Sequence, residues 1–84
     1  MTLAYEKPAR KGLAKMAPKA ADAMQAALQA IAADPFAHHA NVKPLAGTKA
    51  GFRYRQGDWR AVYRIDRASQ TVIVEWIGPR GGAY

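Results

Sequence analysis

No cysteine occurs in the 84-residue chain. That excludes a disulfide framework, a thiolate nucleophile and a thiolate metal site, and it fits a reducing compartment. No apolar run approaches the ~20 residues of a membrane span. The opening MTLAYEKPARKGLAKM lacks the apolar core of a secretory signal. A soluble, cytoplasmic protein with no membrane partner is expected. Carboxylates are scarce: six Asp and Glu stand against thirteen Lys and Arg, for a net charge of +7. Such an excess suits a polyanionic partner: nucleic acid, a ribosome, a membrane surface or an acidic protein.

Half of the residues are hydrophobic. That is enough for one modest core, and a single domain over residues 1–84 is expected, with a stability on the order of 4–13 kcal/mol. The charge is unevenly distributed. All six lysines lie between Lys7 and Lys49, and six of the seven arginines lie at or beyond Arg53. Lysine provides diffuse attraction, whereas arginine offers a planar fork matched to phosphate and carboxylate. The C-terminal half reads as the recognising half.

TLAY reads as a short first strand. PARKGLAKM reads as a helix with Pro8 in its opening turn and Leu13 and Met16 as an i, i+3 pair, although Gly12 argues against it on propensity. PKAADAMQAALQAIAAD is the strongest helix. Ala20, Met24, Ala27, Leu28 and Ile31 form one apolar stripe, Pro18 suits its start and Pro35 stops it near Asp34. PFAHHANVKPLAGTKAG, with two prolines and two glycines, reads as a loop. Its adjacent His38 and His39 have no acidic cluster at metal-ligand spacing, so they read as exposed loop histidines. No metal or cofactor is expected.

The remainder reads as an antiparallel meander. Gly57-Asp58 is a two-residue hairpin signal, which pairs Arg55 with Arg60 and Arg53 with Val62. RASQ, residues 67–70, forms a second turn, which pairs Arg64 with Ile73, Val62 with Glu75 and Arg60 with Ile77. Alternation then puts Tyr54, Trp59, Ala61, Tyr63, Ile65, Val72, Val74 and Trp76 on a core face. The opposite face carries Arg53, Arg55, Arg60, Arg64 and Glu75, with Val62, Ile73 and Ile77.

Like charges facing each other across strands are destabilising. Either solvent covers these arginines, with pairs such as Arg64–Glu75 worth ~0–1 kcal/mol, or they meet an anion. A phosphodiester is the natural guest, because its non-bridging oxygens accept bidentate bonds from guanidinium. The predicted register also brings Arg80, just past the last strand, toward Arg60. Gly81 and Gly82 let the tail turn back, so that Tyr84 can reach the sheet.

FRYRQGDWRAVYRID followed by TVIVEWIGPRGGAY resembles the RelE/ParE family of toxins from type II toxin–antitoxin pairs. The shared pattern is R-x-R, a Gly-Asp turn, an aromatic-Arg pair, and an apolar strand ending in Gly-x-Arg with a nearby Tyr. VKPLAG also resembles a segment the family often carries before its sheet. The resemblance implies an α+β fold: a short N-terminal strand and two helices packed on a three-stranded antiparallel meander.

In RelE-like members it implies an endoribonuclease that cuts mRNA on the ribosome and inhibits translation. In ParE-like members it implies a non-nuclease toxin that inhibits DNA gyrase. Both kinds have a cognate antitoxin as partner. The nuclease pattern implies catalytic roles for Arg53, Arg60, Arg80 and Tyr84, with Tyr84 as general base for the 2′-hydroxyl. RNA binding falls to Arg55, Arg64, Lys43 and Lys49. Gly51 stands where some RelE enzymes carry a further lysine.

Overall fold

The structure, a computed structural model, describes residues 1–45 and 51–79. In chain order the elements are β1 (Thr2–Tyr5), α1 (Lys7–Lys15), α2 (Pro18–Ala33), β2 (Val42–Pro44), β3 (Gly51–Gln56), β4 (Trp59–Asp66) and β5 (Thr71–Pro79). The strands form one mixed sheet in the order β1-β5-β4-β3-β2, with β1 parallel to β5 and the other pairs antiparallel. The expected α+β architecture is present, and the sheet holds five strands.

Each helix starts at a proline-bearing turn, where a missing N–H has no intrahelical partner to lose. On α2 the apolar stripe turns Met24, Leu28 and Ile31 into the core, with Ala32 beside them. Burying side chains of this size contributes roughly 1.5–3 kcal/mol each. They pack with Ala9 of α1, with Met16 just past its end, and with Ala61, Tyr63, Val72, Val74 and Ile77 of the sheet. Phe52 and Tyr63 stack across β3 and β4, with ring centroids 5.4 Å apart.

Gly12, the weak point of α1 on propensity, is fully buried. A Cβ there would collide with the backbone carbonyl of Ile77. Glycine lets α1 lie directly on β5, and that contact outweighs its low helix propensity.

The first hairpin has the expected register: Gln56 pairs with Trp59, Arg55 with Arg60 and Arg53 with Val62. Gly57 has φ +56°, as a two-residue loop with glycine first requires. The second hairpin starts as expected, with Asp66 opposite Thr71 and Arg64 opposite Ile73. It then departs from the alternation. Tyr63 pairs with Val74, but Val62 pairs with Trp76 and Arg60 with Gly78. Glu75 is the extra residue of a β-bulge, which resets the faces of β5. The predicted Val62–Glu75 and Arg60–Ile77 pairs are therefore corrected. Ile77 is 2% exposed and joins the core in place of Trp76. Trp76 moves to the arginine side, opposite Val62.

A second correction concerns the loop reading of residues 35–51. Val42–Pro44 is an edge strand on β3, pairing Val42 with Tyr54, Lys43 with Arg53 and Pro44 with Phe52. Three residues ending in proline carry no local strand pattern. Their pairing is supplied by the exposed edge of β3, and proline is tolerated on such an edge. Within the same segment His38 is exposed. His39 is half-buried, with its Nε2 2.6 Å from the Asp34 carbonyl at the end of α2.

Candidate nucleic-acid interface

Two cross-strand rows build the basic face. Lys43, Arg53, Val62 and Trp76 stand opposite one another across β2, β3, β4 and β5, and Arg55, Arg60 and Gly78 form the next row. Val62 is only 2% exposed although it stands among cations. The centre of this face is therefore covered rather than washed by solvent. Asn41, Lys43, Arg53 and Arg55 line a cleft of about 140 Å³. Asn41 is held there in the left-handed region at φ 65°, and its carbonyl accepts from the Arg55 N–H at 3.0 Å. Asn41 was not anticipated; its tolerance of positive φ was the one signal in the sequence.

Among the described residues, no carboxylate pairs with the cations of the two rows. Among the described residues the ion pairs all involve Arg64: its Nε lies 2.8 Å from Glu75 Oε2, and a terminal nitrogen lies 3.7 Å from Glu6. The expected Arg64–Glu75 pair is present, and it places Arg64 away from the cationic cleft. Arg55 makes only a long 3.4 Å contact from Nε to the Gly57 carbonyl. The Nε of Arg60 is buried and has no hydrogen-bond partner among the described residues. An unmade hydrogen bond of a buried donor costs roughly 1–3 kcal/mol, more for a charged group. A bound anion would supply the missing acceptor.

Lys43, Arg53, Arg55 and Arg60 thus come together, and Arg64 stands apart. Arg80, Tyr84 and Lys49 lie outside the described residues, as do Gly81 and Gly82. Among the tyrosines, burial pushes the Tyr63 hydroxyl up to about 12 and raises those of Tyr5 and Tyr54 as well. All three are poorer proton acceptors at neutral pH than a free phenol. No group of three His, Asp or Glu side chains suited to a metal occurs among the described residues. No helix among them is long and apolar enough to cross a membrane.

Residues 3–84 match the family model described as the ParE toxin of type II toxin–antitoxin system, parDE. A search of curated proteins gave no match. Among solved structures, the chain is similar to one from the toxin–antitoxin complex RelBE2 of Mycobacterium tuberculosis. The two are 27% identical, with 94% of this chain and 96% of that one covered and a TM-score of 0.77. The isolated RelE toxin of E. coli is 19% identical over 98% of this chain and 86% of its own, with a TM-score of 0.81. The YoeB/ParE toxin from Agrobacterium tumefaciens is 18% identical over 95% and 99%, with a TM-score of 0.80. The last two likenesses are likenesses of fold.

Proposed function

The chain belongs to the ParE toxin family of type II toxin–antitoxin systems, and from that premise we propose that it is an endoribonuclease that cleaves mRNA on the ribosome. The observation that carries this reading is the buried, unpartnered Nε of Arg60 beside the cleft of Lys43, Arg53 and Arg55. Those groups hold fixed positive charge where the oxygens of a phosphodiester would lie.

In the proposed reaction the 2′-oxygen of one nucleotide attacks the adjacent phosphorus in line. The new P–O2′ bond closes a 2′,3′-cyclic phosphate. The P–O5′ bond breaks, and the 5′-oxygen leaves as a hydroxyl after taking a proton. Arg53 and Arg60 stabilise the charge that builds on the non-bridging oxygens. Preorganised donors in such sites are worth roughly 2.7–4 kcal/mol each. Arg80 supplies further positive charge near the leaving oxygen, and Tyr84 accepts the 2′-hydroxyl proton. Arg55, Lys43 and Lys49 hold the RNA backbone.

The net charge of +7 suits a cognate antitoxin that is acidic and amphipathic, and that inhibits by covering the arginines. The RelBE2 relative was solved as a toxin–antitoxin complex. The ribosome is the second partner and the cytoplasm the site of action. Arginine supplies the charge that a metal supplies in other nucleases, so the toxin needs no metal ion of its own for cleavage.

A second reading is favoured by one observation, the match to a family model described by its parDE members. In that reading the arginines dock on DNA gyrase and no phosphodiester is cut. The two are separated by incubating the protein with programmed ribosomes and mapping new 5′ ends by primer extension, beside a gyrase supercoiling assay. Cuts that require ribosomes and disappear in Arg60→Ala support the nuclease. Intact mRNA together with inhibited supercoiling would overturn it.

A further inference from the structure

A second cleft, about 310 Å³, lies where α1 meets the Trp59–Pro79 end of the sheet. Among its lining residues are Lys11, Gly12, Lys15, Trp59, Trp76 and Gly78. The chain has two tryptophans, and both are here. Lys11 and Lys15, both exposed, are one helical turn apart on the same side of α1. The cleft depends on two bare backbone positions. A Cβ on Gly12 would strike the Ile77 carbonyl, and one on Gly78 would strike the indole of Trp76. The bulge at Glu75 turns Trp76 out of the core and toward Gly78. Gly78 is also the cross-strand neighbour of Arg60. The cleft therefore lies at the end of the sheet, beside the row that holds Arg60, and is bordered by the lysines of α1.

We propose that this cleft is a nucleobase-binding site for single-stranded RNA: a base stacks against indole, and Lys11 and Lys15 take the flanking phosphates. The assignment rests on the RNA-directed reading of the arginine face. It adds a contact outside the reacting phosphate, one that holds the strand and discriminates among bases. Aromatic surface beside cations is how proteins bind unpaired nucleotides, because every base has a π-face and every linkage a charge. An acidic peptide would satisfy the lysines but would leave the two indoles unexplained. The volume is near the small end of ligand sites, which suits one planar heterocycle.

The cleft reports on itself, since both fluorescent tryptophans line it. The probe is an eight-nucleotide RNA, 2′-O-methylated so that it cannot be cleaved, titrated into the refolded full chain while tryptophan emission is read. Saturable quenching is expected. The Lys11→Ala/Lys15→Ala variant should bind roughly tenfold more weakly at low salt, and its log–log salt slope should shrink by about 1.4 for two lost phosphates. Ribosome-dependent cleavage is read on the same preparations. Quenching without cleavage would uphold the cleft and sink the nuclease. Cleavage without quenching, or quenching indifferent to both lysines, would overturn the cleft and leave the nuclease standing. Quenching by an acidic peptide but not by RNA would assign the cleft to a protein partner and overturn the RNA assignment.

Discussion

Replacing Gly12 by Ala sets helix propensity against tertiary packing, with opposite signs. In an isolated helix the change stabilises by about 0.8–1.0 kcal/mol. In the folded protein the new methyl carbon would sit 2.5 Å from the carbonyl carbon of Ile77 and 3.1 Å from its Cβ, and closer still to the carbonyl oxygen. Ordinary contact is ~3.5 Å and the oxygen is the tightest of the three, so α1 must lift from β5 by more than ~1 Å. The obstacle is the backbone of β5, held to β4 at Ala61, and it cannot swing aside as a flexible side chain can. Overpacking of this kind costs typically 1–3 kcal/mol. Taking the upper end and subtracting the propensity gain leaves a net loss of about 2 kcal/mol. For a domain of this size that lowers Tm by about 8–16 °C. Urea unfolding followed by circular dichroism should show a lower midpoint at unchanged slope. Ala14→Gly, at an exposed position of the same helix, serves as the control and should lose only ~1 kcal/mol. A Gly12→Ala protein as stable as wild type, or more so, would refute the close approach of α1 to β5 and the shape of the cleft beside it.

Other outcomes follow from the same geometry. Arg60→Ala should reduce mRNA cleavage by roughly 10²–10³-fold, whereas Arg64→Ala, whose charge is engaged by Glu75 and Glu6, should change it less than about threefold and cost at most ~1 kcal/mol of stability; equal losses in a primer-extension assay would dissolve the distinction. Hydrogen bonding from the Ser69 side chain first, and then from the Ser69 and Ala68 N–H groups, holds the Asp66 carboxyl below its usual range. Its contribution is therefore present above the unfolded value of ~4 and lost as pH falls through the folded one. The stability gap between wild type and Asp66→Asn, read by urea titration at stepped pH, should close on acidification, and a gap that widens would count against this turn. Burial holds Tyr63 protonated up to about 12, so its stabilisation is complete below the unfolded value of ~10 and lost as pH rises toward the folded one. Alkaline unfolding of wild type should track that window, and Tyr63→Phe should flatten it.

The local rules read most of the frame. Proline at the start of each helix, the stripe from Ala20 to Ile31 and the Gly57-Asp58 turn each act within a few residues, so α1, α2 and the β3–β4 register are legible from sequence. The first half of the β4–β5 hairpin is legible for the same reason, since a four-residue turn sets the pairing next to it. The face shared by Lys43, Arg53, Arg55 and Arg60 was partly legible. The arginines follow from alternation along β3 and β4, but Lys43 reaches them only through β2, whose three residues have no pattern of their own.

Composition and spacing by themselves determined that the chain is basic, that its arginines gather on one side of a hairpin, and that two helices cover the other side. Those properties depend on charge counts and on periods of 2 and 3.6 residues. Tertiary structure alone decided that Glu75 bulges, that Ile77 rather than Trp76 enters the core, and that two glycines are left bare beside a tryptophan. The reason is that β5 must meet α1 at Gly12. Alternation along a strand is indifferent to which of two adjacent apolar residues is buried. The helix lying on Ile77 is what settles it.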